Sequence, residues 1–96
     1  MGKDHWKNAH GHEVDFVVAF PDRRPPTLVQ VCESLDNPQT AKRELRALEA
    51  GMAATGAATS VLVTLRDEES DIATTSGNIH IVPLWRFLLS AESPLP

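Results

Sequence analysis

The sequence predicts a mixed α/β domain: a sheet whose strands are joined by a helix that crosses over between them. Three observations carry this. Residues 13–20 and 27–34 are two β-branched runs separated by a proline-rich turn. Residues 38–55 repeat apolar side chains at helical spacing. Residues 60–65 and 78–82 then return to strand composition. With strands on both sides of a long helix, the helix is expected to cross over between strands of a mixed layer. With 96 residues, one domain spanning 1–96 is expected.

The elements follow in order. Asp4 to Asn8 is a short polar segment around Trp6, expected as an edge strand. Ala9-His10-Gly11-His12 reads as a turn. Glu13 to Phe20 is a strand with Val14, Phe16, Val18 and Phe20 on one face and Glu13, Asp15, Val17 and Ala19 on the other. Pro21, Pro25 and Pro26 make the next segment a loop, because proline cannot donate to a ladder. Thr27 to Ser34 is a strand expected to pair antiparallel with the preceding one. Asp36-Asn37-Pro38 is a helix start, with Asp36 or Asn37 as cap and Pro38 in the first helical position. Ala41, Leu45, Leu48 and Met52 then form one apolar stripe, and Gly56 closes the helix near Thr55. Ser60 to Leu65 is apolar on both faces, as a central strand should be. Arg66 to Gly77 reads as an acidic, small-residue excursion, and Asp67 to Asp71 as a solvated hairpin tip. Asn78 to Val82 is a strand, and a short helix begins after Pro83. Residues 91–96 are expected to fray. The predicted order is β-β-β-α-β-β-α.

Composition narrows the function. Formal net charge is -4 and the pI is about 5.4, which argues against a sequence-independent DNA coat but leaves room for a local basic patch. Cys32 is the sole cysteine, so no disulfide can form within the chain. Apolar runs fall far short of a membrane span, and the N-terminus lacks a signal-peptide core, so the expected location is the cytoplasm. Met1-Gly2 lacks the Ser or Thr that myristoylation wants, since Trp6 stands there. A core this small yields only a few kcal/mol of net stability, and a homodimer hiding one more apolar face would relieve the shortage.

Asp15, Gln30 and Cys32 fit one face of the predicted hairpin. Phosphodiester hydrolysis needs hard oxygen ligands for Mg²⁺ and a basic group to orient water. The run Glu13-Val14-Asp15-Phe16-Val17-Val18, then Gln30-Val31-Cys32, then Thr40, Arg43-Glu44-Leu45 and Ala47-Leu48, resembles the PD-(D/E)XK nuclease superfamily. More closely, it resembles the C-terminal domain of unknown function of a bacterial and archaeal AAA-type ATPase family. Val63-Thr64 and Val82-Pro83-Leu84-Trp85 also match, so the resemblance runs from about Trp6 to Leu89. It implies a reduced restriction-endonuclease-like core. In an active form it implies Mg or Mn held by Asp15, Gln30 and the Val31 carbonyl, with Glu13 assisting from about 6.6 Å along its strand.

The chain departs from that pattern. The leading helix is missing. No Gly-x-x-x-x-Gly-Lys-Ser/Thr occurs, so no ATP is bound through a P-loop. The resemblance puts lysine where Cys32 stands, and Gln30 attracts a cation less than a carboxylate would. Lys42 or Arg46 could replace the missing charge. The expected function is therefore a degenerate nuclease-like module acting through self-association or a protein partner. The alternative is a divergent Mg- or Mn-dependent DNA nuclease.

Each residue also has a plainer reading. Asp15 and Gln30 can simply satisfy backbone groups, and Cys32 can be a small buried hydrophobe. Arg23, Arg24, Lys42, Arg43 and Arg46 form either a nucleic-acid patch or ordinary solvated surface. Trp6 and Trp85 can stack on bases or pack. His5, His10 and His12, with Asp4 or Glu13, can hold zinc or lie in solvent. His80, between Ile79 and Ile81, is expected on an exposed strand face.

Overall fold

The computed structural model describes residues 2–7, 13–19 and 25–92, with side chains placed at 15, 17, 18 and 25–89. The elements run β1 (Gly2–Lys7), β2 (Glu13–Ala19), β3 (Thr27–Val31), α1 (Pro38–Thr55), β4 (Thr59–Thr64), β5 (Ser70–Thr74), β6 (Gly77–Pro83) and α2 (Leu84–Glu92). All six strands form one mixed sheet in the order β1-β2-β3-β4-β6-β5. The predicted α/β class holds, and so do the antiparallel β2–β3 hairpin and the helical crossover, which joins β3 to β4 in parallel. β4 lies between β3 and β6, parallel to both, which accounts for its apolar residues on both faces.

One expectation needs correction. The acidic excursion contains a strand, so the order is β-β-β-α-β-β-β-α. β5 pairs antiparallel with β6 at the sheet edge, from Ser70↔Ile81 to Thr74↔Gly77. Its pattern is weak because only Ile72 packs toward the core, while Ser70, Asp71 and Ala73 are exposed. Pairing with β6, rather than local propensity, makes it a strand. α2 extends through Ala91 and Glu92, and residues 93–96 lie outside the described residues.

The β5–β6 turn is a two-residue hairpin loop. Thr74 Oγ1 accepts from the Ser76 and Gly77 N–H groups and donates to the Gly77 carbonyl. Gly77 has φ +152°, and a Cβ there would lie 2.6 Å from the Ala58 carbonyl oxygen and 2.8 Å from Met52 Sδ. Only glycine lets β6 pass this close to the chain leaving α1.

α1 is capped as predicted. Asn37 Oδ1 accepts from the Gln39 N–H at 2.8 Å and the Thr40 N–H at 3.3 Å. At the other end Gly56 adopts φ +79° and donates to the Met52 carbonyl. α1 lies across one sheet face. Leu48 and Met52 meet Leu28, Leu62, Ile79 and Ile81, all of them buried, in one cluster with Ala57. Tight packing makes each of these residues costly to shorten, by roughly 2–5 kcal/mol for Leu to Ala. α2 packs on β4 and β6. On the sheet face away from α1, Val63 is buried, while Val18, Val29 and Val61 are half-buried and Val31 is 49% exposed.

Candidate functional site

The site implied by resemblance sits where β2 and β3 part. Their ladder runs Val18↔Thr27, Val17↔Leu28 and Phe16↔Val29. Beyond that rung, side chains replace the backbone bonds. The Asp15 N–H donates to Gln30 Oε1 at 2.8 Å, and the Val31 N–H donates to Asp15 Oδ2 at 3.1 Å. Each residue thus satisfies a backbone donor across the gap, as an otherwise orphaned N–H requires. The other end of the Gln30 amide is also engaged: Nε2 donates to Glu44 Oε2 at 2.6 Å. Gln30 is 5% exposed, and its charge-assisted bond to Glu44 ties α1 to the hairpin.

The structure therefore brings Asp15, Gln30 and Val31 together. Val31 enters through its N–H, which holds the Asp15 carboxylate. Glu13 lies in β2 with its side chain outside the described residues. Among the described residues, no three His, Cys, Asp or Glu side chains converge as a metal-ligand group. Glu44 was not anticipated in the site. The signal was present, since Glu44 lies three residues after Ala41 and four before Leu48, on the edge of the apolar stripe.

Cys32 continues the β3 direction, its N–H donating to the Val63 carbonyl. It is half-buried and packs against the core. Burial pushes its thiol above the ordinary value of 9.0, and the Glu44 and Asp67 carboxylates push the same way. The bond to the Ser34 carbonyl and the Arg43 guanidinium act in the opposite direction. A thiol held protonated is a poor nucleophile, which fits the plain reading of Cys32.

Asp67 is no solvated tip. Its Oδ2 accepts from the Leu35 N–H at 2.8 Å, and its own N–H donates to Thr64 Oγ1 at 3.1 Å. It fastens the chain after β4 to the segment entering α1. His80 is half-buried on its strand face, with Nδ1 bonded to the Asp71 carboxylate across β5 and β6. The expectations for Arg23, Arg24, His10 and His12, and for the side chains of Trp6, His5 and Asp4, lie outside the described residues.

Lys42, Arg43 and Arg46 are exposed on α1. With Gln39 they line one open concavity of about 270 Å³. A second concavity of about 270 Å³ lies between Leu65, Pro83 and Trp85, with Arg66, Asp67, Glu68 and Glu69 around it. Leu65, Trp85, Leu88 and Leu89 are each more than half exposed. No helix among the described residues is long and apolar enough to cross a membrane. No protein-family model, no curated protein and no solved structure matches the chain.

Proposed function

We propose that this chain is a nuclease-like module that does not cut and that acts by associating with a second copy of itself. One observation carries the reading: the groups a metal would need are spent on the fold. Gln30 uses its carbonyl on the Asp15 N–H and its amide on Glu44, and Asp15 uses an oxygen on the Val31 N–H. Bringing a hydrated divalent cation between them would break bonds that hold β2, β3 and α1 together. Cys32, protonated and lodged against the core, supplies no cation where nuclease chemistry needs one.

Self-association is supported by α2. Trp85, Leu88 and Leu89 recur at i, i+3 and i+4, so they share one face, and all three are exposed. Leu65 joins Trp85 at the adjacent concavity. An apolar helix face of this kind, in a chain with a small core, is what a homodimer interface would cover.

The test is a calorimetric Mn²⁺ titration of wild type beside Asp15→Ala, with Asp15→Asn as a milder variant. It is repeated with short linear and branched DNA and paired with light scattering. Expected are no saturable Mn²⁺ binding, no DNA cleavage, and a mass approaching two chains as concentration rises. Leu88→Ser/Leu89→Ser should return the protein to one chain. Saturable Mn²⁺ binding that Asp15→Ala abolishes would establish the divergent metal-dependent nuclease instead. A wild type that stays one chain at high concentration would redirect the search to a different protein partner.

A further inference from the structure

The N-terminal half of α1 gathers like charges. Lys42 and Arg46 are like charges at i, i+4, and Arg43 and Arg46 at i, i+3, spacings at which such pairs repel. They occupy the N-terminal half of the helix. The first turn has no acidic residue and the last turn no basic one, so neither end carries the charge that would complement the helix dipole. All this occurs in a chain of net charge -4. A local rule broken in this way points to a functional site.

Position sharpens the point. At about 100° per residue, Gln39, Lys42, Arg43 and Arg46 fall within roughly 100° of arc, opposite Leu48 and Met52. They line one concavity, and among the described residues no carboxylate lines it with them. Glu44, which could have neutralised the cluster, is turned to Gln30. Among the described residues, the close cation–carboxylate pairs are elsewhere: Arg66 with Glu33, Arg86 with Glu69, and His80 with Asp71.

We infer that this outer face of α1 is a binding site for a ligand carrying two or more phosphate groups. Two guanidinium forks and one ammonium match phosphate oxygens, and the Gln39 amide adds a neutral donor. The volume lies just below the usual range for drug-sized ligands, which suits a short run of phosphates. The helix N-terminus is not the anchor, because Asn37 already takes the Gln39 and Thr40 N–H groups. The inference is independent of the metal and dimer readings, since the cluster lies on the far side of α1 from Gln30.

The probes are tripolyphosphate and a twelve-nucleotide single strand, titrated calorimetrically at low salt. They are applied to wild type, Arg43→Gln/Arg46→Gln and Arg66→Gln. Expected is saturable binding of at least one probe, weakened about tenfold or more by the double substitution and less than about twofold by Arg66→Gln. Comparable affinity for both probes identifies a small oligophosphate ligand. A much tighter oligonucleotide, with a log-affinity against log-salt slope that the double substitution flattens by about 2, identifies a strand backbone. The inference is overturned if neither probe binds, if the double substitution leaves binding intact, or if Arg66→Gln weakens it equally. The substituted residues are exposed, and thermal unfolding of each variant shows that the fold persists.

Discussion

Replacing Gln30 by methionine keeps the side chain's length and removes both of its polar ends. Among the described residues it strands the Asp15 N–H, bonded at 2.8 Å, and Glu44 Oε2, bonded at 2.6 Å. Stranding a buried polar group costs about 1–3 kcal/mol, more for a charged one. Asp15 and Glu44 are both half-buried, so water compensates part of the loss and the low end applies to each. The sum is about 2 kcal/mol. For a domain near 100 residues, each kcal/mol moves Tm by about 4–8 °C, so Gln30→Met should melt roughly 8–16 °C lower. Glu44→Gln should lose less, about 1 kcal/mol, because its amide oxygen still accepts from Gln30. In the double variant the two losses should not add, since both substitutions act on the same Gln30–Glu44 bond. Urea and thermal unfolding followed by circular dichroism measure all three. A Gln30→Met protein within about 2 °C of wild type, at unchanged urea slope, would refute the claim that this network holds the hairpin to α1.

Two further outcomes follow from the same coordinates. Gly77→Ala should destabilise by about 3 kcal/mol, because its Cβ would strike the Ala58 carbonyl at 2.6 Å on a backbone that disfavours side chains; urea unfolding indistinguishable from wild type would contradict the close approach of β6. Folding stability should fall above pH 9, because the unfolded Cys32 ionises near 9.0 while burial keeps the folded thiol protonated longer. Below pH 9 both states hold the proton and the contribution is fully present, so Cys32→Ala should remove the alkaline loss in a pH series of urea melts, and alkylation of native Cys32 should lag that of the unfolded chain.

Much of the fold was legible because it rests on local chemistry. Asn37-Pro38 and Gly56 bracket α1 through capping geometry that neighbouring residues supply by themselves. The apolar period of Ala41, Leu45, Leu48 and Met52 announced which face would be buried, and the two-sided apolar run of β4 announced its central place. The pairing of Asp15 with Gln30 was also visible, since alternation puts both on one face of a hairpin.

What remained belongs to contacts between distant segments. β5 carries a single inward apolar residue, and its backbone becomes a strand only because β6 offers a partner edge. Asp67 looks like one of several solvated acids until the chain after β4 meets the Leu35 N–H, thirty-two residues earlier in sequence. Glu44 looks like a surface charge between Arg43 and Leu45 until α1 settles on the sheet and brings its carboxylate to Gln30. Sequence by itself determined the residue types, the periods and the caps, which act within a few positions along the chain. The tertiary structure alone decided which polar groups are consumed in holding the fold and which, like Lys42, Arg43 and Arg46, face outward. A hydrogen bond or an ion pair depends on distance in space, which sequence separation does not specify.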